Sequence, residues 1–175
     1  MVEFKIHRKS EVGGTPVFKR VSNIADALLA ELKRPETLEK LLAANQPGVS
    51  SALVQQTFLP VALKLGFKDE AKGLFAAYEN KYLRPDYFLK LGDRDGILLE
   101  VERGKTTINN MDLLDFWKCH ICEHANYLFL MVPKELRQNA EMSPRREFNA
   151  VNVRMASFFL PGNYTNVDGV FLFGY

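Results

Sequence analysis

The sequence predicts an α/β protein in which helices cover a mixed central sheet. Three observations lead to this fold class. Apolar residues recur at helical spacing through most of the first 80 residues. Two later segments, 86–91 and 97–102, change to the two-residue period of strands. A helical segment and then a wholly apolar one, Tyr127–Val132, follow them, which is typical of a buried strand reached through a crossover helix.

Composition limits the class of protein. The chain has 175 residues, 47% of them hydrophobic, and a net charge of +2, which excludes intrinsic disorder. Its apolar runs are far shorter than the roughly 20 residues of a membrane-spanning helix. The start, MVEFKIHRKS, has no apolar signal core, and two cysteines cannot build a disulfide framework, so we expect a cytoplasmic protein. We expect one domain over 1–175, with an N-terminal hairpin and helices over 1–80 and the core sheet over 81–175.

The N-terminal elements are predicted from local spacing. Alternating apolar residues on both sides of Gly13-Gly14 indicate a β-hairpin. A helix is expected over Ile24–Leu32, and Pro35 is expected to begin a second one. A long helical stretch from about 50 to 80 follows, interrupted near Pro60 or Gly66.

The core elements are expected to begin with a hairpin. Its strands, 86–91 and 97–102, are joined by a turn whose composition is Gly-Asp-Arg-Asp-Gly. The remaining elements alternate between helix and strand: a helix from about 110 to 125, a strand over 127–132, a helix over 145–159 and a strand over 170–175.

Three carboxylates are expected on one face of this hairpin. A symmetric turn would place Asp86 opposite Glu102 and Phe88 opposite Glu100. Because side chains alternate along a strand, Asp86, Glu100 and Glu102 share one face, and the other face is an unbroken apolar set fit for a core. Carboxylates at this spacing repel one another, and a divalent cation such as Mg²⁺ would convert the repulsion into binding. The alternative is that they form the solvated face of an amphipathic hairpin.

These residues resemble a known signature. Pro85-Asp86 followed by Glu100-Val101-Glu102 is similar to the active-site motif of the PD-(D/E)xK nuclease superfamily, and the likeness extends over 84–133. The resemblance implies a restriction-endonuclease-like fold and a metal-dependent endonuclease acting on DNA, with Asp86 and Glu100 holding Mg²⁺, for which Mn²⁺ can substitute. Cutting both strands at a symmetric site would favour a homodimer. The alternative is a catalytically inactive module of the same fold that binds nucleic acid or a protein.

The motif departs from the family at its third acidic position. The family usually has Lys where this chain has Glu102, so either Glu102 or Lys118 would orient or deprotonate the attacking water. Glu102 could instead be a further carboxylate of the metal site. On a helical wheel Lys118 lies at the border of the packed face, from which it could reach the carboxylates or extend into solvent. The residues expected to point away are Asp112, Asp115 and Glu123, and those expected in the packed face are Leu113, Leu114, Phe116, Trp117, Ile121 and Ala125.

Basic residues near the motif are candidates for DNA contacts. Arg103, Lys105 and Thr106, which follow the acidic strand, could hold a phosphate beside the scissile bond, and an exposed strand-end turn explains them equally well. Four arginines near the C-terminus could contact the phosphate backbone or form a solvated helix face: Arg137, Arg145, Arg146 and Arg154. The segment CHICEH contains two Cys and two His that do not converge on one side of a helix, which argues against a zinc site.

Overall fold

The computed structural model describes residues 2–46, 49, 51–69, 73–104, 106–136 and 143–175. Six strands form one sheet in the order β1-β6-β5-β4-β3-β2. Their bounds are Glu3–Arg8 (β1), Lys68–Asp69 (β2), Tyr87–Lys90 (β3), Gly96–Val101 (β4), Tyr127–Val132 (β5) and Gly169–Gly174 (β6). Strands β4, β5 and β6 are parallel, and β3 and β1 pair antiparallel on either side of them. The predicted α/β class with a mixed sheet is therefore confirmed.

Within the described residues, five α-helices cover the two faces of the sheet. Their bounds are Pro16–Leu32 (α1), Pro35–Ala44 (α2), Ser51–Lys64 (α3), Met111–Ile121 (α4) and Glu147–Ser157 (α5). Helices α1 to α3 bury their apolar side chains against one face of the sheet, whereas α4 and α5 pack on the other. Every residue of β4, β5 and β6 is buried, as expected for parallel strands covered on both sides. No helix in the described ranges is long and apolar enough to cross a membrane.

The N-terminal hairpin prediction is wrong. Only β1 is a strand, and it pairs with β6 at one edge of the sheet. The second half of the expected hairpin belongs to α1, which begins at Pro16 rather than at Ile24. Thr15 caps this helix, since its hydroxyl oxygen accepts a hydrogen bond from the Phe18 N–H at 3.1 Å. A Thr-Pro pair is a strong start signal, because Thr satisfies a free N–H group and Pro needs none.

The helical stretch predicted over 50–80 is interrupted before Gly66, one of the two expected places, but 73–80 are not helical. Residues 50 and 70–72 of the predicted stretch lie outside the described residues. Helix α3 continues through Pro60 and ends at Lys64. Gly66 follows with a φ of +91°, a backbone conformation that favours glycine, and the chain then enters β2. The two residues of β2 pair with β3, so this region adds a strand to the sheet edge.

The register of the β3–β4 hairpin differs from the prediction by two residues. Tyr87 pairs with Leu99 and Lys90 with Gly96, so extending the ladder by one position places Asp86 opposite Glu100 rather than opposite Glu102. The cause lies in the turn, which closes on the carbonyl of Asp95, the acceptor for the N–H groups of Leu91 and Gly92. A shift of two residues leaves every side chain on its predicted face. The apolar face is buried against α1 to α3, as expected.

The packed side of helix α4 is only partly the one predicted. Leu113, Phe116 and Ile121 pack on the core as expected. Leu114 and Trp117, expected in the packed face, are 38% and 41% exposed, whereas Asp115, expected to point away, is fully buried. The two cysteines of the CHICEH segment, expected on the polar side, are buried in the core under α4. The wheel prediction failed for Asp112 and Asp115 because it assigned charged residues to solvent. Both have charged partners, since Asp115 pairs with Lys118 on α4 and Asp112 pairs with Arg154 on α5.

Candidate functional site

Asp86, just before β3, and Glu100, near the end of β4, are linked by hydrogen bonds between the two chain segments. The backbone N–H of Asp86 donates to Oε2 of Glu100 at 3.1 Å, and Oδ2 of Asp86 accepts the N–H of Val101 at 2.9 Å. Glu100 is only 3% exposed and Asp86 is partly buried. The solvated-hairpin alternative does not describe this face, because it lies beneath α4.

A glutamine from α3 completes the surroundings of Asp86. Its amide Nε2 donates to Oδ1 of Asp86 at 2.8 Å, and the carbonyl oxygen of the same residue, Gln55, accepts the hydroxyl of Tyr87 at 2.9 Å. Both oxygens of Asp86 are therefore oriented. Sequence reasoning missed Gln55, because a glutamine on a helix separated from the motif by 31 positions carries no local signal.

Lys118 is the buried cation of the site. Its Nζ lies 2.5 Å from Oε1 of Glu100 and 2.8 Å from Oδ1 of Asp115, and Lys118 is 6% exposed. The structure thus brings the sequence-predicted Lys118 to the sequence-predicted Glu100. Burial disfavours the charged ammonium, but the carboxylates of Glu100 and Asp115 outweigh this effect and raise the pKa of Lys118 above its ordinary value. Lys118 is therefore protonated at neutral pH.

Asp115 is the site residue that the helical wheel placed wrongly. It lies three residues before Lys118, so both project from one side of α4. Among the described residues, two groups can donate a hydrogen bond to its buried carboxylate. One is the ammonium of Lys118, and the other is the carboxyl group of Glu102 when it is protonated. The sequence does contain a signal for this arrangement, the Asp-x-x-Lys spacing. Residues three apart lie on the same side of a helix, so if one of them faces the sheet the other does too.

Glu102 and Asp115 form a pair of neighbouring carboxyl groups. The backbone of Glu102 is fixed, because its N–H donates to the carbonyl of Met131 at 2.8 Å and its carbonyl accepts the hydroxyl of Tyr175 at 2.7 Å. Burial, and then the charge of Asp115, raise the pKa of Glu102 to about 9. Burial likewise raises the pKa of Asp86, Glu100 and Asp115. The raised pKa favours the protonated form of Glu102, in which its carboxyl group could donate a hydrogen bond to Asp115.

An open cleft of about 370 Å³ gives access to these groups. Its lining combines acidic side chains with two arginines: Gln55, Arg84, Asp86, Glu100, Val101, Glu102, Arg103, Asn109, Met111, Asp115 and Lys118. Arg84 is exposed, and its side chain makes no ion pair or hydrogen bond within the described residues. Carboxylates at the base and guanidinium groups at the mouth suit a phosphate held by a bridging cation.

The donor atoms of the cleft fit a hard divalent cation. Every carboxylate oxygen of Asp86 and Glu100 already has one polar partner. Because each of these oxygens has two lone pairs, its second lone pair can ligate a metal ion. Within the described ranges, no three His, Cys, Asp or Glu side chains converge as a ready metal site. Mg²⁺ does not require such a set, since it commonly binds through one or two carboxylates and retains several waters.

The predicted phosphate contacts have different surroundings. A guanidinium nitrogen of Arg103 donates to the carbonyl of Gln46. Thr106 is fully buried, so its side chain is closed to DNA in this arrangement. Lys105 and Arg137 lie outside the described residues. Arg154, expected on a solvated face or on DNA, forms an ion pair with Asp112 at 3.0 Å.

The sheet order and the helices on both faces define an α/β fold similar to that of a restriction endonuclease. Among solved structures, the chain is similar to restriction endonuclease BglII in the crystal structure of its complex with a DNA 16-mer. The two superpose with a TM-score of 0.52 over 99% of this chain and 77% of that one, at 12% sequence identity. No protein-family model matches the chain, and no curated protein matches it.

Proposed function

We propose that this protein is a metal-dependent endonuclease that hydrolyses phosphodiester bonds in DNA. The observation that carries the proposal is the placement of Asp86 and Glu100 at the base of an open cleft, with Lys118 in contact with Glu100. Fold similarity to a restriction endonuclease supports it, because that neighbour is a DNA complex.

Asp86 and Glu100 would hold Mg²⁺, or Mn²⁺ in its place. When bound, the cation would lower the pKa of a coordinated water and neutralise charge on the phosphate. Lys118 stays protonated, so it is suited to donate a hydrogen bond to the phosphate or to the attacking water and cannot accept a proton. Of the two candidates for the role of base, Glu102 is the one able to take the proton once its own proton has been lost.

Arg84 and Arg103 would contact the DNA phosphates. Both line the cleft, and the contact of Arg103 with Gln46 uses one of the five N–H donors of its guanidinium group. Lys105, two residues after Arg103 in the sequence, would add a further cation. The buried Thr106 is not part of this proposed surface.

Plasmid cleavage tests the proposal. Purified protein should nick or linearise supercoiled DNA with Mg²⁺ or Mn²⁺ but not with EDTA, and Asp86→Asn or Glu100→Gln should abolish cleavage while the circular dichroism spectrum is retained. Glu39→Gln, the same change at an exposed position of α2, is the matched control. Cleavage at the wild-type rate by either folded site variant would refute the proposal. Direct conversion to linear product by a species that sediments as a dimer would support a homodimer.

One observation favours a second candidate, an inactive module of this fold that binds nucleic acid. Lys118 satisfies Glu100 and Asp115 without a metal ion. Such a module would bind DNA equally well in EDTA and would not cleave it with any divalent ion, so the same assay separates the two functions.

A further inference from the structure

Arg154, on α5, contacts the connection that joins the two halves of the candidate site. One half, at the end of β4, carries Glu100, and the other, on α4, carries Lys118. Nη1 of Arg154 lies 3.0 Å from Oδ1 of Asp112 and 3.2 Å from Oδ1 of Asn110, and Nη2 lies 3.2 Å from the carbonyl oxygen of Thr107. One guanidinium group therefore holds two points of this connection and the first turn of α4.

The connection lacks the usual means of starting a helix. Asn110, the residue before α4, has a φ of +54° and makes no side-chain cap to the helix, so its amide oxygen is free to accept from Arg154. Further back, the hydroxyl of Thr107 donates to Oε2 of Glu147, the first residue of α5, at 2.6 Å. The start of α4 is thus fixed by contacts with α5.

Asp112 transmits this restraint to the site. Asp112, Asp115 and Lys118 follow one another at intervals of three residues and are all buried, so they lie along one side of α4. An ion pair with Arg154 fixes one end of this row, and the contact between Lys118 and Glu100 lies at the other.

We propose that Arg154 is a positioning residue, which holds α4 at the height and rotation at which Lys118 and Asp115 meet the carboxylates of β4. This inference rests on the proposed nuclease function. It assigns Arg154 to an internal role and removes it from the DNA-contacting surface. A planar guanidinium suits the task because its donors diverge toward three acceptors, whereas the single ammonium of a lysine neutralises Asp112 and reaches fewer of the other two.

The test compares Arg154→Lys with Arg94→Lys, the same change at an exposed turn residue that has no hydrogen bond or ion pair within the described residues. Lysine leaves Asp112 paired, so the variant should fold. At saturating Mg²⁺ we expect kcat for DNA cleavage to fall about tenfold to hundredfold, with KM within about twofold of wild type. Backbone amides of α4 should exchange hydrogen faster, while those of α1 exchange at the wild-type rate.

Each other outcome has a distinct meaning. A lower melting temperature with unchanged kcat would show a structural role only, and a higher KM with unchanged kcat would show a DNA contact; either overturns the inference. Unchanged exchange in α4 overturns it as well. If the wild type does not cleave DNA, the proposed function fails, and faster exchange in α4 of Arg154→Lys would still support the positioning of that helix.

Discussion

Replacement of Glu100 by glutamine tests directly whether a cation binds in the cleft. The amide has the volume of the carboxylate, and its one oxygen can accept either from the N–H of Asp86 or from the ammonium of Lys118. Lys118 keeps Asp115 as its partner, so the substitution does not leave an unpaired buried ammonium. The variant should therefore fold, and its main defect should be the loss of a negatively charged ligand.

The size of the expected effect follows from mass action. A ligand at a hundred times its Kd stabilises the folded state by about 2.7 kcal/mol. A chain of 175 residues has an unfolding entropy of about 0.37 kcal/mol/K near its melting temperature, so this gain raises the melting temperature by about 7 °C. We expect such a rise for the wild type with Mg²⁺, Mn²⁺ or Ca²⁺ relative to EDTA, and none for Glu100→Gln.

The assay is a melting scan of the two proteins across a titration of each metal, with Glu39→Gln as the control for a change of one charge. The control should respond like the wild type. If Glu100→Gln keeps the full rise, the cation does not bind at Glu100. If the wild type shows no rise even with DNA present, the cleft does not bind a cation.

Three further results are expected. Arg84→Ala should weaken binding to all DNA sequences alike and reduce the slope of log affinity against log salt by about one, measured in Ca²⁺, whereas Arg94→Ala should not. In EDTA, the raised pKa of Glu102, about 9 against an ordinary 4.5, means that the folded state binds a proton that the unfolded state releases. Stability should therefore fall between pH 5 and 9, by up to about 1.4 kcal/mol per pH unit for this group, and urea unfolding of Glu102→Gln should show a flatter profile. Lys118→Met should lower the free energy of unfolding by about 3–5 kcal/mol at pH 8 and by less at pH 5, where the carboxylates it leaves behind gain protons.

In the β3–β4 hairpin, the predicted face of each side chain is correct although the predicted pairing is not. Its predicted pairing was wrong by two residues, yet Asp86 and Glu100 share a face as expected, because the face of a strand residue depends only on whether its number is odd or even. The turn geometry could not be predicted from the sequence. The hydrogen bonds that close the turn are accepted by the backbone carbonyl of Asp95, a group that every residue type has.

Helix α4 shows the opposite case. A wheel rests on the rule that charged side chains avoid the core, and that rule fails where buried charges neutralise one another. Asp115 was therefore assigned to solvent, although its spacing from Lys118 is visible in the sequence. The contact between Gln55 and Asp86 could not be predicted from the sequence, because only the packing of α3 on the sheet brings the two residues together.

The site contains buried charges that serve its proposed chemistry and do not favour stability: Asp115 and Lys118 on α4, and Glu100 on β4. Replacing a buried ion pair with well-packed apolar residues often leaves a protein equally stable or makes it more stable. Selection of this chain for heat resistance alone would therefore favour apolar residues at Asp115, Lys118 and Glu100, and the cleft would lose its chemistry while the fold improved. Persistence of these three charges in a lineage would therefore record selection for what they do rather than for heat resistance.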